Sequence, residues 1–282
     1  VLATALTMKD IGLGKDSPAF KNVIVNGLVL SESGTKLSKR LRNYTEPEIL
    51  FNKLGADALR YFLLSSTQLG EDYRFSDKGV EEIKRKVIDR LLNSYNFFVL
   101  YADKSAKKKP SKPANILDKW ILSELSEAIF GITQKMEGYE LTDASRILMK
   151  FVDDLSNWYI RRSRRRFQRV EDKKDYKEAS SVLFYVLSKT LKIAAPFIPF
   201  STEAMFKQLT GKESVHLEDW PKADKKGVDK KLLADMAEAR NLVSLALAKR
   251  AEGQIKVKQP LAELRIKNSK LRSNKEILEI IA

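Results

Sequence analysis

Val25-Asn26-Gly27-Leu28-Val29-Leu30-Ser31-Glu32-Ser33-Gly34-Thr35-Lys36-Leu37-Ser38-Lys39-Arg40-Leu41-Arg42-Asn43 divides the chain in two. The residues leading into it, Phe20 to Val25 and then Leu28 to Leu30, are apolar and β-branched around Asn26-Gly27, which predicts two strands or one bent strand in a buried sheet. Beyond it the apolar period changes from two to between three and four, so nearly everything that follows is expected to be helical. Ser31 to Thr35 is turn chemistry, and Lys36, Ser38 and Lys39 then stand close together on a loop between sheet and helices. Two ammonium groups and a hydroxyl at that spacing suit phosphate oxygens. A K-x-S-K string also arises by chance in a lysine-rich chain, where its usual meaning is a solvated loop.

Upstream, residues 1–8 have helix-forming composition and Gly12, Gly14 and Pro18 break the pattern. The chain opens on Val1 in the middle of a pattern, and it is expected to be a piece of a longer protein. Downstream, a helix from Pro47 should stop at Gly55, and a second should cover Ala56 to Ser66. Asp77 is the expected cap of a long helix carrying Val80, Ile83, Val87, Leu91, Tyr95, Phe98 and Ala102. Lys104 to Pro113, with five lysines and two prolines, reads as an exposed connection. A second long helix follows from Leu117 to near Gly138, a third capped by Thr142 or Asp143, and a fourth over Tyr176 to Ala194. A shorter one, about Thr202 to Leu209, should stop at Gly211. Long amphipathic helices on short links specify a bundle. Ser214 to Trp220 is expected to be extended, Val228 to Glu252 helical, Gln254 to Lys267 a short strand, and Asn274 the cap of a last helix.

Composition narrows the partner. Lys and Arg number 52 against 37 Asp and Glu, a net charge of +15. That excess favours a polyanion, most simply nucleic acid, over a merely solvated basic surface. With no Cys, disulfides, thiolate zinc sites and cysteine nucleophiles are excluded within the chain, and a reducing cytoplasm fits. No apolar run approaches the roughly 18 residues of a membrane span.

The basic charge concentrates after Phe151, where the stripe Leu148, Phe151, Val152, Leu155, Trp158 and Tyr159, continued at 100° per residue, runs into Arg162, Arg165 and Arg166. Such a face either pairs its guanidinium groups with buried carboxylates or presents them to phosphates. Arg161 and Arg164, off the stripe, are expected to face solvent or RNA, with Arg162 and Arg166 structural. Trp158 and Tyr159 are expected in the core, and His216, the only histidine, is read as structural.

These segments together resemble one family. Phe20 to Gly27, then Lys36-Leu37-Ser38-Lys39-Arg40 and Asn43, is similar to the end of a class I aminoacyl-tRNA synthetase catalytic domain with its "KMSKS" loop. Gly55-Ala56-Asp57-Ala58-Leu59-Arg60 resembles the "GADALR" segment of the Ile, Val and Leu members, and Asp153 to Arg164 resembles the anticodon-binding helix of the isoleucine enzymes. Ala195-Pro196-Phe197, Glu213 to Pro221 and Lys256 to Leu261 match further segments in the same order. Leu37 stands in place of the usual Met and Arg40 in place of the final Ser.

The resemblance implies a mainly α chain: the end of a Rossmann-type α/β catalytic domain (1–45), a connecting helical segment (46–76), an anticodon-binding helical bundle (77–221) and the start of a small α+β C-terminal region (222–282). It implies ATP-dependent activation of isoleucine and transfer to the 3′ end of tRNA(Ile), with the "HIGH" signature, amino-acid pocket and editing domain before Val1. Lys36 and Lys39 would be catalytic, and Lys36, Ser38, Lys39 and Arg40 would bind ATP. Arg161, Arg164 and Arg165 would meet tRNA. Mg2+ would accompany ATP without a metal site in the chain. The resemblance further implies a cytoplasmic monomer, with this piece alone inactive. The alternatives are a valyl- or leucyl-tRNA synthetase, or a non-catalytic tRNA-binding module in which the loop is a connector.

Overall fold

The computed structural model describes residues 22–107, 110, 113–266, 271 and 274–281. The helix expected over residues 1–8, with Phe20 and Lys21 of the first strand, lies outside them.

The sheet is smaller than the β-branched run implies. Residues 22–28 form no regular structure, and Val23, Ile24 and Val25 are exposed. Only Val29–Leu30 (β1) is a strand, and it pairs in parallel with Tyr73–Arg74 (β2), Val29 opposite Tyr73 and Leu30 opposite Arg74. A strand needs a ladder partner as well as propensity, and β2 supplies one for two residues. Gly27 fixes the crossing, because a Cβ there would stand 2.0 Å from the carbonyl oxygen of Glu71. Beside it the Leu28 amide donates to Asp72 Oδ1 at 2.6 Å.

Pro47–Leu54 (α1) begins on a proline, whose missing N–H costs nothing in a first turn, and ends at Gly55 with φ 87°. Ala56–Ser65 (α2) follows at once. Asp77–Ile83 (α3) continues through a π turn, Lys84–Ile88, into Asp89–Tyr101 (α4). Its cap is Ser76, whose Oγ accepts from the Gly79 amide at 3.2 Å, and not Asp77, whose carboxylate accepts from Thr45 Oγ1 at 2.7 Å. The lysine-rich connection has no helix or strand among its described residues.

Ile116–Glu137 (α5) starts on the Asn115 cap and stops at Gly138. Leu141–Asp153 (α6) has no side-chain cap, since Thr142 donates to the Thr67 carbonyl and Asp143 pairs with Lys135. A second π turn, Asp154–Ile160, leads into Arg161–Gln168 (α7). Lys173–Ala194 (α8) is capped by Asp172, and Pro199–Thr210 (α9) ends at left-handed Gly211. The stretch expected to be extended contains a 3-10 turn, Val215–Leu217, because Ser214 Oγ caps the His216 amide and Glu203 accepts from the Val215 amide.

Lys230–Glu252 (α10) and Lys275–Ile281 (α11) complete the fold, with Asp229 and Asn274 as caps. Residues 254–266 are irregular, with a turn at 257–258, instead of the expected strand, whose last residue, Lys267, lies outside the described residues. The Arg250 guanidinium donates to the carbonyls of Lys256 and Gln259, which are therefore satisfied without a strand partner. One core runs from Leu50 to Ile277, with Trp120, Tyr61, Tyr159, Phe151 and Phe197 fully buried at its centre. Burying each such side chain is worth about 1.5–3 kcal/mol.

Candidate functional site

Two surfaces carry the residues singled out in the sequence. The first is the loop after β1. Ser31 to Gly34 makes a turn, the Gly34 amide donating to the Ser31 carbonyl at 2.9 Å, with Gly34 at φ 84° against the Arg74 guanidinium. The Ser31 amide then donates to the Thr35 carbonyl and the Leu37 amide to the Val29 carbonyl, which folds Lys36 back beside Leu30. From there the chain swings out and returns at Asn43. The Asn43 carboxamide accepts from the Ser38 amide at 2.9 Å and donates to the Lys36 carbonyl at 3.1 Å and Thr35 Oγ1 at 3.2 Å.

Lys36, Lys39 and Arg40 are exposed on this loop, Ser38 is half-buried, and no carboxylate pairs with the three cations among the described residues. Three unneutralised cations on a tied loop attract an anion.

The second surface is α7. The π turn inserts one residue into the helical register, so the buried face continues as Leu155, Tyr159, Ser163 and Phe167, at steps of four. That rotation settles the arginines. Arg166 pairs with buried Asp118 through both terminal nitrogens, at 2.8 and 2.7 Å, and with Asp175. Burial alone would lower its pKa, and the bonds to Asp118 and Asp175 outweigh this and raise it. Tyr159, donating to the same Asp118 at 2.7 Å, is pushed well above the ordinary phenol value by burial first and that carboxylate second.

Arg162 lies half-buried over the Trp158 ring at 4.9 Å, its pKa lowered by burial and then by neighbouring Arg161. Arg161 and Arg164 are exposed. Arg165 is exposed as well, loosely paired with Glu171 at 3.5 Å, and not on the buried stripe where an unbroken α-helix would set it.

Arg161 and Arg164 border a cleft of 610 Å³ whose other wall is α4, with Asn93, Asn96, Leu100 and Tyr101. The sequence offered no signal for these α4 residues beyond the polar positions of Asn93 and Asn96 between apolar ones. A second groove, of 980 Å³, opens on the other side of Arg161 and Arg162, towards α10 and Val257 to Arg265. Trp158 and Tyr159 are core residues, and the His216 side chain is exposed. Among the described residues no three His, Cys, Asp or Glu side chains gather as metal ligands, and no helix is long and apolar enough to cross a membrane.

Buried Asp57 and exposed Arg60 tie α2 to the start of α9. Asp57 accepts from the Phe200 and Ser201 amides at the start of α9, and Arg60 donates to the Pro196 carbonyl.

Comparison with known proteins gives matches over both parts. Residues 2–76 match the family model for tRNA synthetases class I (I, L, M and V), and residues 118–266 match that for the anticodon-binding domain of tRNA ligase. The chain is similar to the isoleucine–tRNA ligase of Chlamydia trachomatis serovar D, 44% identical over 265 residues, and to that of Chlamydia muridarum at 43%. Each alignment covers 91% of this chain, which spans 26% of the length of these relatives. Among solved structures it is similar to the ternary complex of Agrobacterium radiobacter K84 agnB2 LeuRS-tRNA-LeuAMS, with a TM-score of 0.62 over 79% of this chain and 26% of that one. At 22% identity that likeness shows the fold. With residues 118–266 of 282 inside the second family model, the chain belongs to the class I tRNA ligases that carry an anticodon-binding domain.

Proposed function

We propose that the chain is the part of an isoleucine–tRNA ligase that runs from the end of the catalytic domain (1–45), through a connecting segment (46–76), into the tRNA-binding bundle (77–221) and the beginning of a C-terminal region (222–282). The observation that carries this is the pairing of an anion-attracting loop with a bundle whose sequence matches anticodon-binding domains. Isoleucine, over leucine or valine, is supported by the relatives at 44% identity.

In the proposed reaction the isoleucine carboxylate attacks the α-phosphorus of ATP, the bond to the bridging oxygen breaks, and pyrophosphate leaves with the electron pair. The adenylate is then transferred to the 3′ end of tRNA(Ile). Charge accumulates on the departing pyrophosphate, so the step gains most from fixed positive groups. Lys36 and Lys39 supply these, Ser38 adds a hydroxyl donor, and Arg40 adds a third cation. Mg2+ enters with the ATP phosphates, as part of the substrate. Arg161, Arg164 and Arg165 are proposed to contact tRNA. The protein is taken to work as a monomer in the cytoplasm.

The test is isoleucine-dependent ATP–pyrophosphate exchange in the full-length protein. Lys39→Ala should keep isoleucine binding and slow exchange by about 10²–10³-fold, the usual cost of losing one such donor. Unchanged exchange would remove Lys39 from the site. The chain by itself should show none.

A further inference from the structure

We propose that Asn43 is a positioning residue for adenylate formation: its carboxamide ties Thr35 and Lys36 to Ser38 across the foot of the loop, so that Lys36, Ser38 and Lys39 meet the ATP phosphates in one register. This rests on the reading of the loop as the phosphate grip.

One side chain makes all the ties. Oδ1 accepts from the Ser38 amide at 2.9 Å, and Nδ2 donates to the Lys36 carbonyl at 3.1 Å and to Thr35 Oγ1 at 3.2 Å. Thr35 Oγ1 is itself held by Ser31 Oγ at 2.8 Å, so the tie reaches back to the end of β1. Among the described residues, the one other backbone bond within the swing joins the Arg42 amide to the Lys39 carbonyl at 3.3 Å, with Arg42 at φ 48°.

Without Asn43, Lys36 and Leu37 would stay on β1 through the Leu37 amide, while the segment from Ser38 to Arg42 would keep only that turn and lose its anchor, and exposed loops without such anchors sample many conformations. Only a carboxamide fits the role, since one end must accept and the other must donate twice. The tie also occupies the Ser38 amide, which leaves the hydroxyl as the Ser38 group available to a phosphate. A catalytic group displaced by about 1 Å can cost on the order of 10²-fold in rate.

The experiment compares Asn43→Ala and Asn43→Asp with Lys39→Ala in the full-length protein. Asn43→Ala should cut the kcat of isoleucine-dependent ATP–pyrophosphate exchange by about 10–10²-fold and leave the KM for isoleucine unchanged. It should not slow transfer to tRNA from isoleucyl-adenylate supplied preformed, a step in which no pyrophosphate departs. Trypsin should cut after Lys36, Lys39, Arg40 or Arg42 faster than in the parent protein.

Asn43→Asp keeps the acceptor and sets an oxygen against the Lys36 carbonyl, and it should be as slow as Asn43→Ala. Normal exchange in Asn43→Ala with trypsin cleavage accelerated would overturn the positioning role. Unaltered cleavage would overturn the tie itself, and normal exchange in Asn43→Asp would overturn the need for the donor. An equal loss in both reaction steps would mark a folding defect instead and also overturn the proposal. If Lys39→Ala exchanges normally, it is the reading of the loop that fails.

Discussion

Asp57 caps the helix that begins at Pro199: its Oδ2 accepts from the Ser201 amide at 2.6 Å, although the two residues are separated by most of the bundle in sequence. The carboxylate is buried and also takes the Phe200 amide, so it satisfies two N–H groups that helix geometry leaves without partners. Asp57→Ala should lower stability by about 1–3 kcal/mol, measured by urea denaturation. Asn at this position retains an acceptor and should recover part of the loss. A cap formed across the chain binds the segment after the loop to the bundle, so the two parts should unfold in one transition.

Arg166 and Arg164 should separate structure from recognition. Removing the Arg166 side chain strands the Asp118 carboxylate in the core, and Arg166→Met should cost about 3–5 kcal/mol in denaturant titrations. Arg164→Ala, on the exposed side of the same helix, should stay within about 0.5 kcal/mol of the parent.

For tRNA, the order reverses. Replacing Arg161 and Arg164 together should weaken binding across all salt concentrations and flatten the plot of log K against log salt by about 0.9 for each phosphate left without its guanidinium. Filter binding between 50 and 200 mM salt, about the range over which such phosphate pairing is most visible, reads both quantities. An unchanged slope would assign these arginines to solvent.

Acid should loosen the turn after α9. Glu218 lies against Lys192 and Lys212, and these cations, Lys192 first, hold its pKa below the usual carboxylate value. A depressed folded value means that the pair stabilises the protein fully above the unfolded carboxylate range, and that this is lost as pH falls through the folded value. Glu218→Gln should therefore lower stability at pH 7, by no more than about 1 kcal/mol because solvent screens the pair. In thermal melts the two proteins should converge in acid, below the folded Glu218 value.

Helices were legible because three- and four-residue spacing survives packing: Gly55, Gly138 and Gly211 end helices where the sequence says they should, and Asn274 caps as expected. The strands were less so. Val23 to Val25 have β propensity, but pairing depends on Tyr73–Arg74, a segment with no period of its own. Caps were missed where the polar residue beside the expected one had the better reach, as with Ser76 beside Asp77. On the loop, residue types announced the lysines and the serine, while the hydrogen bonds of Asn43 belong to a conformation that no spacing rule describes.

The π turn at Asp154–Ile160 governs how the bundle tolerates change in length. It stores a single surplus residue at the point where a packing helix becomes a basic one. Ironing this turn out into an unbroken α-helix with every residue kept would turn α7 by about 100°. Ser163 and Phe167 would rotate towards water, Arg162 and Arg165 would be driven against the core, and Arg166 would lose its line to Asp118. A one-residue deletion inside Asp154–Ile160 would instead give an unbroken α-helix with Ser163, Arg166 and Phe167 on their present faces, so a family alignment should show single-residue gaps in this helix confined to that turn.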